Sequence, residues 1–155
     1  MRRWLAPLLD DPNLLHLNRH SVSGAFFVGL FCAFLPVPGQ ALIASLLAFL
    51  FRCNLPISVL LIWISNPFTI PPLMVGLYKI GQYILGRPSA LGDVSFSWTW
   101  LSENGGAVFL PIAIAGPLVG LVAGLTGYIT IRYLWRWKVV KNWEIRKKKR
   151  QSIHS

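Results

Sequence analysis

Two polar breaks interrupt a long apolar stretch of the chain. The first break is residues 36–40 (PVPGQ), and the second break is residues 65–72 (SNPFTIPP). Within residues 21–86 the formal charges are those of Arg52 and Lys79 alone. A soluble domain of this size needs many more charges to cover its surface, so the pattern indicates a chain whose solvent is lipid.

Each break lies between two apolar pieces that have the composition of short helices. The first break separates residues 21–35 from 41–51, and the second separates residues 55–64 from 73–85. The first two pieces would rise only about 22 Å and about 16 Å, less than a hydrocarbon core of about 30 Å. Each pair is therefore expected to form one discontinuous span or a re-entrant hairpin. We assign the first pair as re-entrant, because Arg52 then stays on the cytoplasmic side.

Polar residues next to prolines predict where the second pair of helices begins. Asn54 is expected to cap the helix that Pro56 begins, since this combination is a common helix start. Thr69 is expected to cap the helix that restarts at Pro71 and Pro72, because adjacent prolines fit only a first turn. Both breaks thus have the same pattern, an apolar piece, a Pro-rich polar break and a second apolar piece. Such pairs are typical of binding sites near the membrane midplane.

Residues 107–135 form the one segment that we predict to span the membrane without interruption. The preceding residues, 86–106, are expected to form an interfacial segment rather than a strand, because their Trp side chains suit the headgroup layer and an isolated strand has no partner. Glycines recur every four residues in the spanning segment and predict a smooth face for close helix packing. These helix-packing residues are Gly116, Gly120 and Gly124.

The distribution of charge predicts the topology. The chain has a formal net charge of +10, and most of its Lys and Arg residues lie from Arg132 onward. Basic residues also outnumber acidic ones in the polar N-terminal leader, residues 1–20. We therefore expect both termini in the cytoplasm, with a membrane domain over residues 21–135 and a basic cytoplasmic tail over residues 136–155.

The residue types exclude most catalytic chemistry. The apolar segments contain no Asp, Glu or His, so the sequence offers neither an acid–base pair nor a membrane-embedded carboxylate. We expect no enzyme activity and no cofactor. His16 and His20 have a spacing that suits a metal, but no third ligand accompanies them, so no metal site is predicted. The basic residues lack a reading motif or an aromatic platform, and nucleic acid is not an expected partner.

The groups left for binding are uncharged and lie at the breaks. Each break precedes a helix whose first N–H groups lack intrahelical partners, so two such ends at one spot would suit a phosphate or another anionic headgroup. The alternative is that these residues only cap the broken helices, which is required in either case. We expect Gln40 and Asn66 to lie close together near the midplane. The candidate substrate-binding residues are Pro36, Pro38, Gly39, Gln40, Ser65, Asn66, Pro67, Thr69 and Pro71.

Three stretches around the breaks carry a resemblance to a known family. They are residues 34–40 (FLPVPGQ), 54–56 (NLP) and 63–73 (WISNPFTIPPL). Together they resemble domain-of-unknown-function family 2062 (DUF2062), a family of small bacterial inner-membrane proteins, over residues 15–135. The resemblance implies that location but no established activity. Some members look like C-terminal additions to glycosyltransferases that use isoprenoid-phosphate carriers, which implies a role with lipid phosphates.

Two functions from different classes follow. The first is a transporter or flippase for an anionic lipid, such as an isoprenoid phosphate, that binds at the two breaks. The second is a non-transporting membrane module that docks or stabilises a partner, such as a lipid-linked glycosyltransferase, through the glycine stripe and the basic tail. Because the chain is small for enclosing a cavity alone, we expect a homo-oligomer or a membrane partner protein in either case.

Overall fold

The computed structural model describes Leu14, residues 17–86 and residues 98–151, with side chains over residues 17–86 and 105–141 and at Leu14 and Trp143. Its helices are, in chain order, α1 (Arg19–Ala33), α2 (Gln40–Leu50), α3 (Leu55–Leu61), α4 (Ile70–Ile84) and α5 (Trp98–Gln151). A 3-10 turn, Ile62–Ile64, extends α3. These described residues contain helices and no strand, which confirms the all-α class. His16 and most of the leader lie outside them.

Helix α1 is the centre of the packing. It packs along α5 and also contacts α2 and α3, while α4 packs on α5. One buried cluster joins α1 to α2 and to the start of α3, and a second joins α4 to α5 through Leu77, Tyr78, Val108, Ile112 and Ala115. The first cluster consists of small side chains, so its helices approach one another closely. Its members are Ala25, Val28, Cys32, Ala44, Ala48 and Cys53.

Helix α2 buries its small side chains and exposes its large ones. Ala44 and Ala48 are 0% exposed. On the opposite side of the helix Leu42, Leu46 and Leu50 are 73%, 69% and 71% exposed. Each exposed Leu would forgo about 1.5–3 kcal/mol of burial free energy in water. In lipid this cost disappears, because hydrocarbon tails solvate leucine and small residues allow close helix contact.

Helix α5 is longer than the sequence predicted. The span predicted over residues 107–135 lies inside a longer helix, since α5 runs from Trp98 to Gln151. Residues 98–104 contain no Gly or Pro to stop the helix, and the tail is rich in Lys and Arg, which are good helix formers. Residues 136–151 of the tail are therefore a continuation of α5, and residues 98–106 of the expected interfacial segment are helical. Residues 87–97 lie outside the described residues.

One part of α5 is long and apolar enough to cross a membrane. This part, Gly105–Lys141, is the one such span among the described helices. It contains Pro111 and Pro117 inside the helix. An interior proline removes a backbone hydrogen bond and is costly in water, whereas neighbouring helices can satisfy the freed groups in a membrane bundle. The composition of α5 therefore suits a buried or lipid-facing setting better than an aqueous one.

The starts of α3 and α4 are fixed by asparagines. Asn54 caps α3 as predicted, since its Oδ1 accepts a hydrogen bond from the backbone N–H of Ile57 at 3.1 Å. Thr69 occupies the N-cap position of α4, but its side chain makes no capping bond, so the predicted Thr69 cap is wrong. The Oδ1 of Asn66 instead accepts from the backbone N–H groups of Phe68 and Thr69, at 2.9 and 3.0 Å. An Asx turn therefore leads into α4.

Candidate functional site

The two breaks meet at the end of α1. The hydroxyl of Ser65, the first residue of the second break, donates a hydrogen bond to the backbone carbonyl of Ala33. Ala33 is the last residue of α1, and a carbonyl there has no partner within its own helix. The bond joins residues 32 positions apart in the sequence. The second break thus satisfies the helix end that leads into the first break.

The first break is a turn closed by its own glutamine. Gly39 has a φ of 81°, in the left-handed region that glycine adopts without strain, and it immediately precedes α2. The side-chain amide of Gln40 donates a hydrogen bond back to the carbonyl of Leu35. No side chain among the described residues caps α2. The positive end of the α2 dipole is therefore left uncapped beside the turn.

A cavity of about 730 Å³ lies where the two breaks meet. Its wall includes the whole first break, Ser65 and side chains from three helices. Gln40 and Ser65 supply the polar side chains among its lining residues, and the rest of the wall is apolar. The volume falls in the range of about 300–1,000 Å³ that is common for ligand sites. The residues from α4 and α5 in the wall are Ile70, Met74, Gly105, Val108, Phe109 and Ile112.

The polar groups of the second break mostly bond to one another. The Oγ1 of Thr69 accepts from the backbone N–H of Asn66 at 2.9 Å and donates to the carbonyl of Ile64. The Oδ1 of Asn66 already accepts the two N–H groups that lead into α4. Asn66 and Thr69 therefore close this loop on itself, and Asn66 has the capping role that the sequence left open as the alternative.

The predicted binding residues fall into two groups. Pro36, Pro38, Gly39, Gln40 and Ser65 line the cavity, and so do the neighbouring Val37 and Ala41. Asn66, Pro67, Thr69 and Pro71 are not among its lining residues. Two residues of the second break, Ser65 and Ile70, thus share the cavity with Gln40, and the polar one of the two is Ser65 rather than Asn66.

Sequence reasoning missed the part of the wall that α4 and α5 supply. Val108 and Ile112 are one helical turn apart on α5, as are Ile70 and Met74 on α4. Such i, i+4 pairs share one helix face. Both pairs lie in apolar stretches of their helices, where this spacing carries no mark that separates a cavity wall from a packed core. No signal in these residues could have identified them.

Comparison with protein families agrees with the resemblance at the breaks. A family described as an uncharacterized protein conserved in bacteria matches residues 2–144, which is most of the chain. The chain belongs to the DUF2062 family. No curated protein and no solved structure matches it. The family assignment therefore gives this DUF2062 member a relationship but not an activity.

In this family member the glycine stripe of α5 is covered by α1. A Cβ atom at Gly116, Gly120 or Gly124 would lie 2.7, 2.8 or 2.8 Å from a backbone carbonyl oxygen of α1 or of the residue that follows its last turn. Real Cβ atoms do not approach oxygen so closely, so the two helices could not keep this contact with any larger residue. The carbonyls belong to Phe34, Phe31 and Phe27, in that order. The stripe is an internal packing face, not a free surface.

Proposed function

We propose that this family member is a multi-pass inner-membrane protein that binds an anionic lipid, such as an isoprenoid phosphate, in the cavity at the two breaks. The cavity would be the substrate site of a lipid transporter or flippase. One observation carries the proposal. A mainly apolar cavity of about 730 Å³ has the uncapped start of α2 in its wall.

The start of α2 favours a negatively charged headgroup. The first residues of this helix, Gln40 and Ala41, line the cavity directly after Gly39. Unpaired N–H groups at a helix start carry a partial positive charge and commonly bind phosphate. The surrounding wall is apolar, and in such surroundings the attraction between the helix end and an anion is stronger than in water.

The remainder of the wall favours a hydrocarbon tail. Ile70 and Met74 of α4 line the same cavity as the first break, and so do Phe109 and Ile112 of α5. Apolar side chains gain free energy by covering an alkyl or isoprenoid chain, and methionine adapts its shape to irregular ligands. A ligand with one anionic end and one apolar end would thus match both parts of the cavity.

The outer surface supports a membrane setting. Large apolar side chains are exposed on α3, α4 and α5 as well as on α2, for example at Leu60, Tyr83 and Val122. Exposed apolar area on this scale marks a surface that meets lipid or another protein. We propose that the short helices accompany α5 in the membrane with both termini in the cytoplasm. A second copy or a membrane partner protein would complete the enclosure of the lipid.

The proposed role is binding and movement rather than catalysis. Neither polar side chain in the cavity wall is a general acid or base at neutral pH, since Gln40 carries an amide and Ser65 a hydroxyl. The hydroxyl of Ser65 is also committed to the carbonyl of Ala33. A docking role through the glycine stripe is less well supported, because α1 of the same chain already covers that stripe.

The proposal is tested by filling the cavity. The full chain in detergent is titrated with a polyprenyl phosphate and, separately, with the uncharged polyprenol, and bound lipid is counted by native mass spectrometry. Ala41 is exposed and lines the cavity, so Ala41→Trp fills it without disturbing the core. We expect the affinity for the phosphate to fall about tenfold, which equals ~1.4 kcal/mol.

The matched control is the neighbouring residue. Leu42 is 73% exposed and does not line the cavity, so Leu42→Trp should leave the affinity within about twofold of the parent chain. Equal affinities for the two variants would contradict binding in this cavity. Equal affinities for the polyprenyl phosphate and the polyprenol would contradict a role for the anionic headgroup.

A further inference from the structure

A second cavity, of about 330 Å³, lies near the opposite end of α1 from the breaks. It is lined by Arg19, Ile129, Arg132, Tyr133 and Arg136. Arg19 is the first residue of α1, whereas the breaks meet at its last residue. The 15 residues of α1 separate the two ends by about 22 Å. This arginine cavity is therefore distinct from the cavity at the breaks.

Three arginines from two helices line the arginine cavity. Arg132 and Arg136 are one turn apart on α5, a spacing at which like charges repel. Arg19 adds a third positive charge from the start of α1. No Asp or Glu is among the lining residues. An anion in this cavity would relieve the mutual repulsion of the three groups, which is a physical reason for one to bind.

One of the three arginines is held in place by an aromatic side chain. The guanidinium of Arg132 donates a hydrogen bond to the hydroxyl of Tyr128 and lies 5.3 Å from the centre of its ring. The hydrogen bond occupies one of the five N–H donors of the guanidinium. Fixing the group in advance lowers the entropy that a ligand would lose in ordering it. Arginine recognises phosphate in particular, because two parallel N–H groups match two phosphate oxygens.

Aromatic side chains mark the depth of the arginine cavity. Tyr133 lines it, and Trp137 is exposed on the next turn of α5, where Lys141 lies 5.3 Å from its ring. Tyr and Trp collect at the level of lipid headgroups, and Arg and Lys near helix ends reach to the same level. In the membrane setting proposed above, the cavity would thus lie where phosphates of lipid headgroups are concentrated.

We infer that Arg19, Arg132 and Arg136 form a binding site for the phosphate group of a lipid headgroup. One end of the bundle, the end opposite the breaks, is held by this site against one leaflet of the membrane. This inference rests on the proposed membrane setting, but it does not depend on the cavity at the breaks. The three positive charges, the position of the aromatic side chains and the cavity between the two helices point to the same ligand chemistry, a phosphate next to an apolar tail.

The test compares two lipids that differ in the phosphate alone. Phosphatidic acid and diacylglycerol are titrated onto the purified full chain in detergent, and native mass spectrometry measures the bound fraction. We expect retention of phosphatidic acid over diacylglycerol. The double variant Arg132→Gln with Arg136→Gln should bind phosphatidic acid about tenfold more weakly, because charge-assisted hydrogen bonds to phosphate are lost. Arg19 contributes from the other helix, α1, and Arg19→Gln alone should lower the affinity for phosphatidic acid about threefold.

Matched controls separate a built site from general positive charge. The double variant Lys138→Gln with Lys141→Gln removes the same charge from exposed positions of α5 outside the cavity. It should stay within about twofold of the parent chain, whereas a diffuse attraction of about 1 kcal/mol per basic residue would weaken both double variants equally. Equal losses would overturn the inference. A loss of thermal stability without a loss of lipid would also overturn it, since the arginines would then contribute to folding and not to lipid binding.

Two further arms identify the source of the phosphate. Displacement of phosphatidic acid by an equal concentration of inorganic phosphate would overturn the lipid assignment in favour of a free-phosphate site. The variant Ala41→Trp should keep the binding that depends on Arg132 and Arg136. Failure of the arginine site and failure of the cavity at the breaks are therefore distinguishable in the same assay.

Discussion

The hydroxyl of Ser65 donates a hydrogen bond to the backbone carbonyl of Ala33 and so joins the second break to the end of α1. This bond brings a residue of the S-N-P motif into the wall of the same cavity as the P-V-P-G-Q turn. The polar residues of the two breaks therefore have unequal roles. Ser65 and Gln40 are at the cavity, while Asn66 and Thr69 shape the loop that leads into α4.

Ser65→Ala should destabilise the bundle. The substitution leaves the carbonyl of Ala33 without its partner in apolar surroundings, which costs about 1–3 kcal/mol. The matched control is Ser45→Ala, because the hydroxyl of Ser45 bonds to Ala41 within its own helix at an exposed position. That change should stay within about 0.5 kcal/mol. Thermal unfolding in detergent measures both, and similar melting temperatures for the two variants would contradict a joining role for Ser65.

Asn66→Leu should act on stability and leave lipid binding unchanged. The substitution removes the oxygen that accepts the N–H groups of Phe68 and Thr69, so the start of α4 loses a cap worth about 1 kcal/mol. The affinity of the folded fraction for a polyprenyl phosphate should equal that of the parent chain. Weaker binding at unaltered stability would instead place the Asn66 amide at the headgroup, as the sequence pattern first suggested.

Local sequence predicts part of this fold. Pro and Gly separate the short apolar helices, and Pro56, two residues after Asn54, predicts the Asn54 cap. The sequence underestimates the extent of α5, because Lys, Arg and Trp at its ends are typical of membrane surfaces although none of them stops a helix. The pairing of Ser65 with Ala33 depends on how two helices are oriented. A uniformly apolar sequence gives no periodicity from which that orientation could be derived.

Gly120→Leu should disrupt the contact between α1 and α5. A Cβ atom at Gly120 already meets the carbonyl oxygen of Phe31 at 2.8 Å, so a leucine would force the helices apart. The control is Leu118→Ala, because Leu118 is half-exposed on the same helix and faces solvent or lipid. Stability in detergent and yield of folded protein should fall sharply for the first and little for the second. Equal tolerance of both changes would argue against the stripe as a packing face.

The two ends of α5 should differ from each other in their accessibility from outside the cell. The basic tail favours the cytoplasm, so Ser152→Cys should resist an impermeant thiol reagent in intact cells and react after lysis. Ser102→Cys, near the other end of the span, should react in intact cells. Cys32 and Cys53 are buried and give a low background. Labelling of Ser152→Cys in intact cells would overturn the proposed topology.

The same substitution at two glycines should have opposite effects on stability. Gly39 has a φ of 81° and open space around the position of a Cβ atom, so Gly39→Ala meets no clash and pays only for a left-handed conformation, about 1–2 kcal/mol. Gly76 lies within α4 and is equally open, so Gly76→Ala should stabilise by about 0.5–1 kcal/mol through helix propensity. Unfolding in detergent compares the two directly. Because neither site offers an atom for the new methyl group to strike, a difference in sign isolates the backbone conformation of the turn before α2. A stabilising effect at Gly39 would mean that the turn does not need a left-handed residue. The left-handed turn that leads into the uncapped start of α2 would then be contradicted.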